Sequence, residues 1–204
     1  MDGGLVLASA SPRRRELLAA AGLTFAVEPS DVDESLAGAP RPEAAARELA
    51  ERKARAVAER RSSPDWVLGA DTVVALPSAV DTWTLLGKPD SPGEARTMLA
   101  RLSGTRHAVV TGVSVVRSGT ASAWTDSETT WVRMRAISER EIEDYVASGE
   151  WRDKAGGYAI QETADRFVVE LAGGGFDNVV GLPVTLALRL LERAGAPLER
   201  WGAR

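Results

Sequence analysis

Between Trp66 and Leu76 the chain reads WVLGADTVVAL, an apolar, β-branched run that fits a strand buried inside a fold. Its neighbours decide what it joins. LVLA at 5–8 is a shorter run of the same kind. HAVVTGVSVV (107–116), the alternating TTWVRMRA (129–136) and RFVVEL (166–171) add three more strands. Helix signals lie between them. Ser11-Pro12 offers an N-cap followed by proline at the first helical position, predicting a helix from Pro12 to about Ala21 that stops at Gly22. An Ala/Arg/Glu stretch predicts a long helix over 42–61, and Ser91-Pro92 starts another that ends near Ser103-Gly104. Ser138 and Glu141 form a capping box for a helix ending at Gly149, and a last helix covers about 184–194. Residues 77–86 read as a polar turn leading to Gly87-Lys88-Pro89, and 153–161 as a glycine-containing loop. Strands and helices alternate without a strict βαβ pattern, which predicts an α/β domain with a mixed, twisted sheet.

Composition narrows the chemistry. A chain of 204 residues, 44% hydrophobic and 26% charged, is expected to form one domain over 1–204 with a real core. It has no cysteine and a single histidine, His107, which leaves no thiolate zinc site, Cys nucleophile or His-rich metal site. The net charge of −4 argues against a broad nucleic-acid surface. The first fifteen residues hold too short an apolar run for a signal peptide, and no later stretch approaches a membrane span. The expected setting is the cytoplasm.

Of 25 basic side chains only Lys53, Lys88 and Lys154 are lysine. A chain that uses arginine by default keeps a lysine where a planar fork does not fit, and a tight phosphate site is such a place. Lys53 falls inside the apolar stripe Ala46, Leu49, Ala50, Val57 of its helix, so it should face the core or a cleft and need an anionic partner. Asp71 interrupts the buried strand. A carboxylate there needs a partner or a metal, and it reads as a general base or metal ligand at the end of a central strand, or as a strand-end cap. ASASPRRREL places Ser9, Ser11, Arg13, Arg14 and Arg15 at a helix start, where free N–H groups and the helix dipole favour an anion. Three arginines there are unfavourable unless an anion sits nearby. Arg13 reads as a ligand; Arg14 and Arg15 could equally face solvent. The loop carboxylates Asp31, Asp33 and Glu34 read either as solvated or as partners of Mg²⁺ and substrate phosphates. In DKAGGYAIQE, Gly156 and Gly157 permit close approach, Lys154 adds charge, and Gln161 has the donor and acceptor needed to read a base edge.

Taken in order from Leu7 to about Pro183, ASASPRRREL, GADTVV, GKP, LSGTRHAVVTGV, DKAGGYAIQ and NVVGLP resemble the Maf family of nucleoside triphosphate pyrophosphatases. The resemblance implies a Maf-type α/β fold, related in shape to inosine triphosphate pyrophosphatases, with two lobes around a deep cleft. It implies hydrolysis of a nucleoside triphosphate to monophosphate and pyrophosphate with Mg²⁺ or Mn²⁺. Asp71 matches the family's proton acceptor and, with Glu34, the expected metal ligands. Ser9, Arg14, Lys53, Lys88 and Gln161 match positions lining the site, and Arg13, Thr72 and Gln161 match those tied to substrate choice. In this form they resemble the subfamily acting on dTTP and UTP. The expected partner is the nucleotide, not a nucleic-acid polymer or membrane, and exposed Trp or Val surfaces would support a homodimer. The alternatives are a nucleotide-binding regulator of septum formation acting through a protein partner, and a nucleotidyl- or phosphotransferase using the same cleft.

Overall fold

The structure, a computed structural model, describes residues 3–79 and 82–202. Among the described residues seven strands form: β1 (Leu5–Leu7), β2 (Ala26–Val27), β3 (Trp66–Ala79), β4 (Thr82–Leu86), β5 (Arg106–Arg117), β6 (Ala123–Met134) and β7 (Val168–Ala172). The α-helices are α1 (Pro12–Ala20), α2 (Pro42–Ala58), α3 (Pro92–Leu102), α4 (Glu139–Ser148), α5 (Phe176–Val180) and α6 (Val184–Arg193). All seven strands join one sheet in the order β2-β1-β3-β5-β6-β7, with β4 also paired to β3. β1 runs parallel to β2 and β3; the remaining pairs are antiparallel. The expected mixed α/β sheet is present.

β2 and α5 have no counterpart in the sequence reading, which takes 173–183 as a turn and short apolar stretch, and two further strands depart from it. Thr82–Leu86, expected as part of a polar turn, is a strand antiparallel to β3. Its outward positions are polar because it lies at an edge, and only Leu86 is buried. β6 begins at Ala123, not 129. Its first half, AWTDSE, looks unlike a strand because it faces the polar flank of α2: Arg47 Nη1 donates to Ser127 Oγ at 3.2 Å, and Thr125 Oγ1 donates to Glu51 Oε2 at 3.1 Å. Local caps otherwise behave as expected. Ser11 and Ser91 cap α1 and α3, each followed by proline, and Ser138 with Glu141 forms the full capping box of α4, closed by Gly149 at φ +77°.

β3 positions the site. One edge pairs with β5 from Trp66 to Ala75. The other pairs with β1 at Trp66–Leu68 and with β4 from Val74 onward, so residues 69–73 have no strand on that side. An apolar cluster flanks each end: Leu7, Leu18, Leu68 and Val115 pack under α1 and α6, while Leu99, Leu102, Met134, Tyr145 and Phe167 pack around α3 and α4.

α2 lies pressed onto the sheet between these ends. A Cβ on Gly112 would stand 2.1 Å from the Ala46 carbonyl oxygen, and one on Gly69 would stand 2.3 Å from that of Ala50. Only glycine lets the helix come so close. Among the described residues, no helix is long and apolar enough to cross a membrane, and the large apolar side chains most open to solvent are Val27, Val169 and Phe176.

Candidate active site

The gap beside residues 69–73 opens into a cleft of about 740 Å³, within the usual range for small-molecule sites. Ser9, Arg13 and Arg14 line it from the start of α1, and Glu34 from the loop before α2. Lys53 comes from α2, Asp71 and Thr72 from β3, Lys88 from the turn after β4, and Gln161 from the segment before β7. The nine side chains that the family resemblance assigns to the site thus meet in one space, although they span more than 150 positions of the chain.

Because α2 sits so close to the sheet, Lys53 projects straight onto Asp71. Its Nζ donates to Asp71 Oδ1 at 2.5 Å and lies 2.7 Å from Glu34 Oε1. Lys53 and Asp71 are each 6% exposed, so this is a buried ammonium held between two carboxylates. Glu34 is half-open to solvent, and Lys88 Nζ approaches its other oxygen at 3.4 Å. Burial opposes ionisation of Glu34, but the hydrogen bond and charge of Lys53, with that of Lys88, hold its carboxyl below the ordinary value.

Arg14 does not face solvent. Its Nε donates to the Gly181 carbonyl at 2.8 Å, Nη1 to Ser9 Oγ at 3.4 Å and Nη2 to Thr72 Oγ1 at 3.1 Å. Burial lowers its pKa, the Asp71 charge opposes that, and neighbouring Arg13 adds to the lowering. Arg15 is exposed outside the cleft. No acidic residue occupies the first turn of α1, so its positive end and Arg13 face the cleft without a compensating carboxylate from the helix. The lining holds six cationic side chains (Arg13, Arg14, Lys53, Lys88, Arg152, Lys154) against four carboxylates (Asp31, Glu34, Asp71, Asp153).

The acidic loop divides. Asp31 and Glu34 line the cleft, whereas Asp33 turns back to accept from the Ser35 backbone and hydroxyl at 2.8 and 2.6 Å. Lys154 borders the cleft with its charge already engaged. Its Nζ donates to the Glu150 carbonyl and to Glu162 Oε2 at 2.7 Å, tying down the loop that carries Gln161. Gly156 and Gly157 stand at φ +70° and +74°, and Gly156 N–H donates to Gly87 O at 2.9 Å, so the same loop is anchored to the Lys88 turn.

Sequence reasoning missed a buried layer behind these residues. Thr72 Oγ1 lies 2.9 Å from Thr111 Oγ1 on β5, and Thr111 donates to the Asn178 carbonyl of α5 at 2.9 Å. Asn178 Nδ2 donates to Val109 O at 3.1 Å and Thr130 Oγ1 at 2.8 Å. Elsewhere His107 Nε2 meets the hydroxyl of Tyr158, which lines the cleft, at 2.8 Å. Burial pushes His107 down to about 4. The available signals were a lone Thr inside HAVVTGVSVV and a lone Asn opening NVVGLP.

Comparison with known proteins agrees with the shared motifs. A family model described as Maf-like protein matches residues 4–194. This chain belongs to the Maf family. Maf relatives include a dTTP/UTP pyrophosphatase of Thermomicrobium roseum, 50% identical over 196 residues covering 96% of this chain and 86% of that one. Another dTTP/UTP pyrophosphatase, from Myxococcus xanthus, is 48% identical over 203 residues, covering 98% and 96%. A third, from Salinibacter ruber, is 47% identical over 194 residues, covering 95% and 92%. Among solved structures, a nucleoside-triphosphatase described as a dITP/XTP pyrophosphatase from Mycobacterium abscessus aligns with 65% of this chain and 75% of its own. Its TM-score is 0.40 and its identity 13%.

Proposed function

We propose that this protein hydrolyses dTTP and UTP, releasing the nucleoside monophosphate and pyrophosphate. The observation that carries this reading is Asp71, a carboxylate held on the Lys53 ammonium within a cation-rich cleft. A protein that only bound a triphosphate would gain nothing from a carboxylate there, because like charges repel. The dTTP/UTP pyrophosphatase names of the relatives support the same substrates.

The roles follow from position. Arg13, Arg14, Ser9 and the start of α1 bind phosphate oxygens, with Lys88 across the cleft. Asp71 accepts a proton from water as the water oxygen bonds to the α-phosphorus. The bond from that phosphorus to the bridging oxygen breaks, and pyrophosphate leaves with the electron pair, its charge met by these cations. Lys53 fixes the direction of Asp71 through their hydrogen bond. Thr72 and Gln161 read the base.

The donor set fits a divalent cation, Mg²⁺ or Mn²⁺. Glu34 and Asp71 already share one cationic group, and an ion of this kind takes one or two carboxylates together with substrate phosphates. Among the described residues no group of three or more His, Asp or Glu side chains forms a ready-made cage, which accords with an ion arriving on the nucleotide. When bound by Glu34 and Asp71 it would neutralise phosphate charge and polarise the attacked centre. The proposed setting is the cytoplasm, with one domain over 1–204 and the nucleotide as partner.

The test is pyrophosphate release from dTTP, UTP, 5-methyl-UTP, CTP, GTP and 7-methyl-GTP with Mg²⁺ or Mn²⁺, wild type beside Asp71→Asn. We expect dTTP and UTP to be turned over, and the variant to lose about 10²–10⁴-fold, the range for a lost general base. Full turnover by a folded Asp71→Asn would sink the mechanism. Tight nucleotide binding without product would favour a regulator.

A further inference from the structure

The hydrogen bonds behind Thr72 have only one consistent direction. The Asn178 carbonyl can only accept, and Thr111 Oγ1 stands 2.9 Å from it. Two oxygens at that distance without a hydrogen between them would repel, so the single hydroxyl hydrogen of Thr111 is committed to Asn178. Thr111 therefore has only lone pairs to offer Thr72, 2.9 Å away across the β3–β5 ladder. The hydroxyl hydrogen of Thr72 must point at Thr111, into the sheet and away from the cleft. From the other side Arg14 Nη2, which can only donate, reaches Thr72 Oγ1 at 3.1 Å and takes one of its lone pairs. The chain runs one way: Arg14 to Thr72 to Thr111 to Asn178. Thr111 and Asn178 are fully buried, so no water competes for these bonds.

Thr72 itself is only half-buried and lines the cleft. What it has left for a ligand is one lone pair. A serine or threonine hydroxyl is ordinarily ambidextrous; this one is not. We propose that Thr111 fixes Thr72 as a hydrogen-bond acceptor, so that the cleft selects a nucleotide base presenting a ring N–H. This rests on the proposed dTTP/UTP activity, with Thr72 facing the base. Thymine and uracil share an imide N3–H between two carbonyls. Cytosine has a bare, accepting N3 in the same place, which would set lone pair against lone pair. Gln161 has no such fixed polarity, because its amide offers a donor or an acceptor by rotating. Thr111 touches no substrate in this scheme; it is a positioning residue acting through Thr72.

The experiment compares kcat/KM for UTP and CTP in wild type, Thr111→Val and Thr111→Ser. Valine keeps the branched shape but offers no acceptor, so the Thr72 hydrogen is freed to turn and donate into the cleft. We expect the UTP-to-CTP ratio to fall about tenfold or more in Thr111→Val, through a gain on CTP as well as a loss on UTP, and to be restored in Thr111→Ser. A purely structural role would lower both substrates together and leave the ratio alone. A second reading needs no variant: UTP methylated at N3 has lost the donor, and wild type should turn it over at least about tenfold less well than 5-methyl-UTP, which keeps it. Wild type that hydrolyses UTP while the ratio is unmoved in Thr111→Val, or that accepts N3-methyl-UTP as well as 5-methyl-UTP, overturns the acceptor assignment alone. Wild type that releases no pyrophosphate from UTP or dTTP overturns the pyrophosphatase reading, and this inference with it.

Discussion

Adding one methyl group at Gly112 should disable the catalytic pair without touching it. The new Cβ would lie 2.1 Å from the Ala46 carbonyl oxygen, and ordinary contact begins at 3.4 Å, so α2 must lift by about 1.3 Å. The atoms it meets are helix backbone, which cannot rotate away as a side chain would. Two effects follow. Over-packing of this kind costs about 1–3 kcal/mol of stability. The same displacement carries Lys53, seven residues along the rigid helix, off Asp71, and a misplacement of about 1 Å at a reacting centre lowers turnover by about 10²-fold. The assays are urea unfolding and pyrophosphate release from dTTP for Gly112→Ala, with Gly104→Ala as a control, since nothing lies within 4 Å of a Cβ there. Gly104 has φ +69°, so the control is expected to lose stability by backbone strain while keeping its turnover. If Gly112→Ala unfolds within about 0.5 kcal/mol of wild type and keeps its turnover, the account of how α2 positions Lys53 is wrong.

Lys53→Met removes the cation shared by Asp71 and Glu34, leaving a buried carboxylate unpaired. It is expected to lose about 3 kcal/mol of stability, and an unchanged unfolding midpoint would refute the pairing argument. His107 is neutral in the fold, its pKa held near 4 by burial, while the unfolded chain titrates near 6.5. Its contribution is therefore complete above pH 6.5 and is lost as pH falls toward 4. By pH 5 this is about 2 kcal/mol, so unfolding midpoints measured at pH 7.5 and 5.0 should fall further for wild type than for His107→Gln. Parallel losses would assign the acid sensitivity to other groups.

The residues that carried the sequence reading share one property: each violated its local surroundings. Lys53 broke an apolar helical stripe, Asp71 broke an apolar strand, and Arg13 and Arg14 sat at the wrong end of a helix dipole. Such conflicts show in a single sequence because local periodicity sets the expectation. The structure brings those side chains together, and it settles Arg14, which local signals left between solvent and cleft. What stayed hidden left only faint local signals. β4, lying at an edge with only Leu86 buried, and the first half of β6, facing the polar flank of α2, owe their composition to where they sit, which periodicity cannot register. Thr111 and Asn178 are ordinary residues made consequential by partners 39 and 67 positions away. Asp33 and Glu34 are adjacent and chemically alike, and only the backbone path separates the one that turns back to Ser35 from the one that reaches Lys53.

The unbroken pairing of β3 with β5, ten residues from Trp66 to Ala75, has a mechanical consequence. Both apolar clusters are built on these two strands, so the walls of the cleft share a common spine. A ladder of that length resists bending, and its hydrogen bonds cannot yield one at a time without disturbing both cores. The sheet is therefore a fixed anvil, not a hinge. Any tightening around a ligand falls instead to side chains such as Glu34 on the 29–35 loop, because the 152–161 loop bearing Gln161 is itself tied to Gly87 and Glu162. Asp71 and Thr72 keep their spacing throughout, while the parts that meet the ligand from above adjust to them.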